Sequence, residues 1–170
     1  MHRPTALLTL RRPAFVAATL LACLAMALPF SLPAAEGSAD VAVVVHTGVP
    51  VSDLAFAEMR KLLLGDRQFW NPGLRVTLLI RAPVARERDV MLKTVYQMRE
   101  AQFRQYWIAK VFRAEAAAGP KIVYSNEEAT EMAASIPGSI AFVDASKIPK
   151  GLKILKIDGR LPGDPGYKLR

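Results

Sequence analysis

The sequence predicts an α/β fold, a layered single domain with a mainly parallel or mixed five-stranded sheet. Three observations carry that prediction. Short apolar runs rich in β-branched residues recur along the chain, beginning with Val41, Val43, Val44 and Val45. Between them lie segments whose apolar residues follow helical spacing. The two patterns alternate over about 135 residues, enough for one core with helices packed on a sheet.

Residues 1–35 stand apart and read as a secretory signal peptide. Arg3, Arg11 and Arg12 form a basic start, residues 14–32 carry no charge, and Ala34, Ala35 and Ala39 supply small residues for cleavage before Asp40. The uncharged run is also long enough for a membrane anchor, but the small residues after it favour release into the periplasm. Cleavage removes Cys23, the only cysteine, so no disulfide or thiol chemistry is expected. Loss of those three arginines lowers the formal net charge from +8 to +5.

Residues 40–158 form the expected domain. Residues 41–46 suggest a strand buried on both faces, as in a parallel sheet. Thr47, Gly48 and Pro50 break it. Residues 53–64 predict a helix with Phe56, Met59 and Leu63 on one face and Glu58, Arg60 and Lys61 opposite, stopped by Gly65. Residues 69–73 form an aromatic-capped turn, and residues 76–80 a second strand. Residues 86–97 present Met91, Leu92 and Val95 as a helix face. Residues 100–112 present Phe103, Tyr106, Trp107 and Val111, an aromatic stripe that reads as packing. Residues 121–124 make a short third strand. Ser125 and Glu128 form a capping box for a helix with Ala129, Met132, Ala133 and Ile136 on one face. Pro137 and Gly138 stop it. Residues 139–143 and 152–157 complete the sheet, leaving residues 159–170 as a loose tail rich in Gly and Pro.

No catalytic constellation is visible. Beyond the signal peptide the one histidine is His46, no Cys/His pair has metal-ligand spacing, and no nucleophile elbow or Gly-rich phosphate loop occurs. Glu127 and Glu128 sit in a helix first turn, where capping explains them. The sequence therefore predicts no enzyme, no cofactor and no metal. The basic balance suits small anions or an acidic partner surface. Export, and the lack of a Lys/Arg run interleaved with aromatics, argue against nucleic acid.

The residues that point to a ligand flank one strand-to-helix junction. Arg81 ends the second strand and Arg86 opens the next helix. A helix start offers unpaired amides and the positive end of the dipole, and Arg matches the geometry of phosphate and carboxylate. Arg81 supplies the main charge, with Arg86 and the N–H groups of Ala85 and Arg86 as auxiliaries. Thr47 adds a hydroxyl if parallel strands place it at the same sheet edge. The competing reading leaves both arginines solvated or paired with Glu87 and Asp89.

The order of these elements resembles the periplasmic phosphate-binding proteins of ABC transporters. Leu64 and Gly65 followed by Trp70, Asn71, Pro72 and Gly73 look like that family's Leu-Gly and Trp-turn segment. The strand ending in Arg81 matches one that ends in an Arg there. Ile136 to Val143 resembles the family's Pro-Gly-Ala-Ile-Gly-Tyr-Val strand. The family's next loop, rich in Gly, Ser and Thr, is replaced here by Ala82, Pro83, Val84 and Ala85. The chain has room for about one of the two lobes of such a type II binding protein. The resemblance implies a periplasmic solute-binding protein for phosphate or a similar oxyanion, linked to ABC-type phosphate uptake. The alternative is a periplasmic interaction or sensory module of the same fold, partnered by a transporter, porin or sensor and lacking a tight ligand.

Overall fold

A computed structural model describes residues 40–170; the signal-peptide reading lies outside the described residues. Val41–Val45 forms β1. A two-residue strand, β2 (Asp53–Leu54), precedes α1 (Phe56–Leu63). The hairpin β3 (Phe69–Asn71) and β4 (Leu74–Arg75) leads into β5 (Thr77–Arg81). Next come α2 (Arg86–Met91), a π-helical turn (Leu92–Tyr96) and α3 (Glu100–Phe112). The rest is β6 (Lys121–Val123), α4 (Asn126–Ser135), β7 (Ser139–Asp144), β8 (Lys153–Ile154) and β9 (Lys156–Ile157).

The main sheet has five strands in the order β6-β5-β7-β1-β8. It is mixed. β5 runs parallel to β6 and β7, while β1 is antiparallel to β7 and β8. All five residues of β1 are buried, as expected, but its partners are antiparallel. Burial on both faces comes from the layering, which the strand's composition cannot distinguish from strand direction. Val41, Val43 and Val45 face a large core shared with α1, the π-helical turn and α3. Ala42 and Val44 face a smaller one under Ala129 and Ala133 of α4. Period-two alternation is thus hidden inside a wholly apolar strand.

Helix boundaries follow local hydrogen bonding. The helix expected from residue 53 starts at Phe56, because Asp53 and Leu54 pair in parallel with Lys156 and Ile157. Asp158 Oδ1 then accepts the Phe56 amide at 2.9 Å, capping α1 from far along the chain. At the other end of α1, Tyr96 donates its hydroxyl to the Leu63 carbonyl at 2.9 Å. Tyr106 and Lys110 both donate to the Leu64 carbonyl, at 2.7 and 2.8 Å. The last carbonyls of α1 are therefore satisfied by side chains of the next helical segments. Burial opposes the charge of Lys110, but Asp66 and the Tyr106 hydroxyl outweigh it and leave the ammonium titrating above its ordinary range.

Phe103 and Trp107 are buried in the large core. Val111, expected on the same face, is exposed: the buried stripe of α3 runs through Phe103, Trp107 and Lys110, and in the last turn Lys110 takes the inward position. The tail is the larger correction. Residues 159–170 are docked, not loose: Tyr167 and Leu169 are buried. The Leu169 carbonyl accepts the Val41 amide at 2.8 Å, and the Tyr167 hydroxyl donates to the Val41 carbonyl at 2.8 Å. Two apolar side chains among Gly and Pro suffice when they fill a gap beside β1.

Candidate functional site

β5 delivers Arg81 to the edge of the sheet where β5, β6 and β7 all end. The chain then turns through residues 82–85. The Ala82 amide extends the pairing to Val123 at 2.8 Å, and the Ala85 amide closes the turn onto the Ala82 carbonyl at 3.3 Å. The Ala85 N–H, expected as an anion donor, is thus spent within the turn. Val84 at the tip has φ of 68° and is almost wholly exposed, a strained conformation for a β-branched residue.

Arg81 is not a solvated hook. Its side chain is only 12% exposed. Nε lies 3.8 Å from Glu87 Oε2, a loose ion pair, and Nη2 reaches the Tyr124 carbonyl at a long 3.4 Å. Nε and Nη1 are sealed from water and make no hydrogen bond. The pairing with Glu87 fits the competing sequence reading, yet it leaves the guanidinium under-satisfied. Buried donors of that kind are costly and rare.

Arg88, which the sequence reading passed over, organises the junction. It is buried, donates to the Arg81 carbonyl at 2.7 Å, and grips Glu100 with Nε and Nη2 at 2.8 and 2.9 Å. Its guanidinium also lies 4.9 Å from the centre of the Phe103 ring. A signal for it existed. Arg88 stands three, four and seven residues before Met91, Leu92 and Val95, on the apolar face of its own helix. A charge on that stripe has to be paired.

Arg86 is exposed. With Lys93, Thr94, Asp89 and Arg170 it lines a groove of about 360 Å³ beside the Val84 tip. Arg170 is paired with Asp40 at 3.0 Å, whereas Arg86 and Lys93 form no ion pair among the described residues. Across the edge, the Ser146 hydroxyl holds the Asp144 carboxyl below its usual range, with Lys147 and Arg86 adding to the effect. Arg81 and Arg86 therefore share an edge, as expected, but only Arg86 opens to solvent. Thr47 does not join them. It follows β1, which runs antiparallel to β7, so it sits at the opposite edge, where the His46 amide meets the Ser139 carbonyl at 3.2 Å. His46 itself accepts the Gly48 amide through Nδ1, a turn-stabilising role.

Among the described residues no group of three His, Cys, Asp or Glu side chains is placed to hold a metal, and no helix is long and apolar enough to cross a membrane.

No family model and no curated protein matches the chain. Solved structures do. A Clostridium perfringens protein with bound phosphate, described as a phosphate ABC transporter substrate-binding protein, superposes with a TM-score of 0.58 at 15% identity, over 72% of this chain and 46% of its own. An ABC-type phosphate transport receptor from Vibrio cholerae gives 0.57 at 14%, over 72% and 48%. PstS from Borrelia burgdorferi gives 0.54 at 18%, over 72% and 49%. The chain spans about half the length of these structures. At such identities the likeness establishes the fold: the described domain is built as one lobe of a phosphate-type periplasmic binding protein.

Proposed function

We propose that this is an exported, non-enzymatic binding protein for phosphate or a similar oxyanion, contacting its ligand at the edge formed by Arg81 and Arg86. The observation that carries the reading is the pairing state of the cations there. Arg86 and Lys93 are unpaired around an open groove, and Arg81, at the same edge but sealed from water, keeps two donors unused. The position, beyond the carboxyl end of a parallel strand pair, is where ligands of open α/β sheets gather. The resemblance to phosphate receptors supports the same class of ligand and a link to a membrane transporter.

Affinity is expected to be weak. One lobe leaves an anion half solvated, so each charge-assisted bond contributes less than in a closed cleft. A Kd on the order of tens of micromolar to millimolar, about −6 to −4 kcal/mol, follows, tightening at low salt. Calorimetric titration with phosphate tests this on wild type, Arg86→Ala/Lys93→Ala and Arg81→Ala. Loss of binding in the variants supports the reading; equal and negligible heats in all three sink it. Export is tested by N-terminal sequencing of periplasmic material, which should begin between Ala35 and Asp40.

A second reading rests on the turn at residues 82–85, which offers no hydroxyl, and on the exposed Ile108 and Phe112 at the end of α3. These suit an interaction or sensory module that meets a porin, transporter or sensor without a tight ligand.

A further inference from the structure

The opposite edge of the sheet, where β5 begins, carries a separate opening of about 320 Å³. That is the size at which pockets for small organic molecules start. Leu62, Val76, Leu78, Trp107 and Ala116 form its apolar wall. Leu78 lies on a strand paired on both sides, yet it keeps solvent exposure, as does Val76 just before that strand. Half-buried aliphatic side chains at an interior position mark a gap in the helical layer above the sheet.

The gap has a local cause. Gly65 turns the chain at the end of α1 with φ of +71°, and a Cβ there would stand 2.9 Å from Trp107 Cη2. The indole thus packs on bare backbone, and residues 116–119 line the space beside it. Gln68 Nε2 donates to the Glu115 carbonyl at 2.7 Å and ties the two lips together.

The charge around this cavity is of one sign. Arg67, Arg75 and Lys121 line it, and no Asp or Glu does. Arg67 is committed to the carbonyls of Phe69 and Trp70. Arg75 donates Nη2 to Gln68 Oε1 at 3.1 Å and lies 5.7 Å from the centre of the Phe69 ring, and neither Arg75 nor Lys121 forms an ion pair among the described residues. Two cations therefore lack a counter-charge beside a wall of aliphatic and indole surface. A multiply charged inorganic anion would leave that wall wet. A neutral hydrocarbon would leave the cations unanswered. A flat apolar body bearing one carboxylate satisfies both, with its ring against Trp107 and its charge toward Arg75 and Lys121. We propose that this cavity is a binding site for small aromatic monocarboxylates, independent of the Arg81–Arg86 edge.

The probe is benzoate, followed by nuclear magnetic resonance of the Trp107 indole and the Leu62 and Leu78 methyls. Benzoate should shift these signals saturably. Benzamide, of the same shape but uncharged, should bind at least about tenfold more weakly. Arg75→Gln/Lys121→Gln, both exposed positions, should raise the benzoate Kd by at least about tenfold, and Ala118→Trp should block the mouth. Arg86→Ala/Lys93→Ala should leave benzoate binding unchanged, which separates this site from the oxyanion reading. Absence of saturable shifts at millimolar benzoate, equal binding in the charge-deleted variant, or equal shifts with inorganic phosphate would each overturn the proposal.

Discussion

The indole nitrogen of Trp70 donates to the carbonyl oxygen of Gly138 at 2.8 Å, and the Thr77 amide donates to the same oxygen at 3.1 Å. The Trp turn and the Pro-Gly turn, far apart in sequence, are thus one joint. It fixes the hairpin β3/β4 to the point where β5 and β7 begin side by side. Gly138 has φ of +74°, and a Cβ there would lie 2.1 Å from the Arg75 carbonyl oxygen. Gly138→Ala should therefore cost on the order of 3–5 kcal/mol in urea unfolding. Trp70→Phe, which keeps a ring and loses one bond, should cost about 1–2 kcal/mol.

Trp107 anchors α3 on the core. Trp107→Ala should destabilise by about 3–5 kcal/mol, read from the unfolding midpoint at constant slope. A loss below about 1 kcal/mol would show that the ring contributes little packing.

Arg88 and Glu100 confer acid sensitivity. The hydrogen bonds from Arg88 hold the Glu100 carboxyl below its ordinary range. The folded value lies under the unfolded one of about 4.3, so the stabilisation is complete above the unfolded value and drains as pH falls through the folded one. Glu100→Gln should cost about 2–3 kcal/mol near neutral pH, since Arg88 stays buried without its counter-charge. It should also flatten the acid limb of the stability profile.

Alkali should act through Tyr96 and Tyr167, whose hydroxyls burial pushes up. In the unfolded chain a tyrosine ionises near about 10. Stability is then level below that pH and falls as pH rises past it, because only the unfolded state releases these protons readily. Phenolate absorbance from the two should rise together with loss of far-ultraviolet dichroism. A smooth rise with the fold intact would contradict it.

Periodicity revealed the elements, because the core faces of the helices and the apolar strands leave marks every two or 3.6 residues. Strand direction left no such mark. β1 reads identically in a parallel or an antiparallel sheet when helices cover both faces, and that ambiguity misplaced Thr47. The docked tail was hidden for a related reason: Tyr167 and Leu169 are isolated apolar residues whose partners at Val41 are fixed only by the fold. At the junction, Arg81 and Arg86 were legible from residue type. Which of them meets solvent depended on Glu87 and Arg88, whose pairing is tertiary.

The position of β1 has a kinetic consequence. It opens the described chain, yet both of its neighbours, β7 and β8, come late: Val41 pairs with Asp144 and Val44 with Ile154. Sheets closed by such distant pairings fold slowly, in roughly milliseconds to seconds. Until β1 arrives, β7 is an unguarded border whose Ile140, Ala141, Phe142 and Val143 present an apolar row with open backbone groups. The slowest step in making this domain is therefore also the moment at which two chains are most prone to join wrongly.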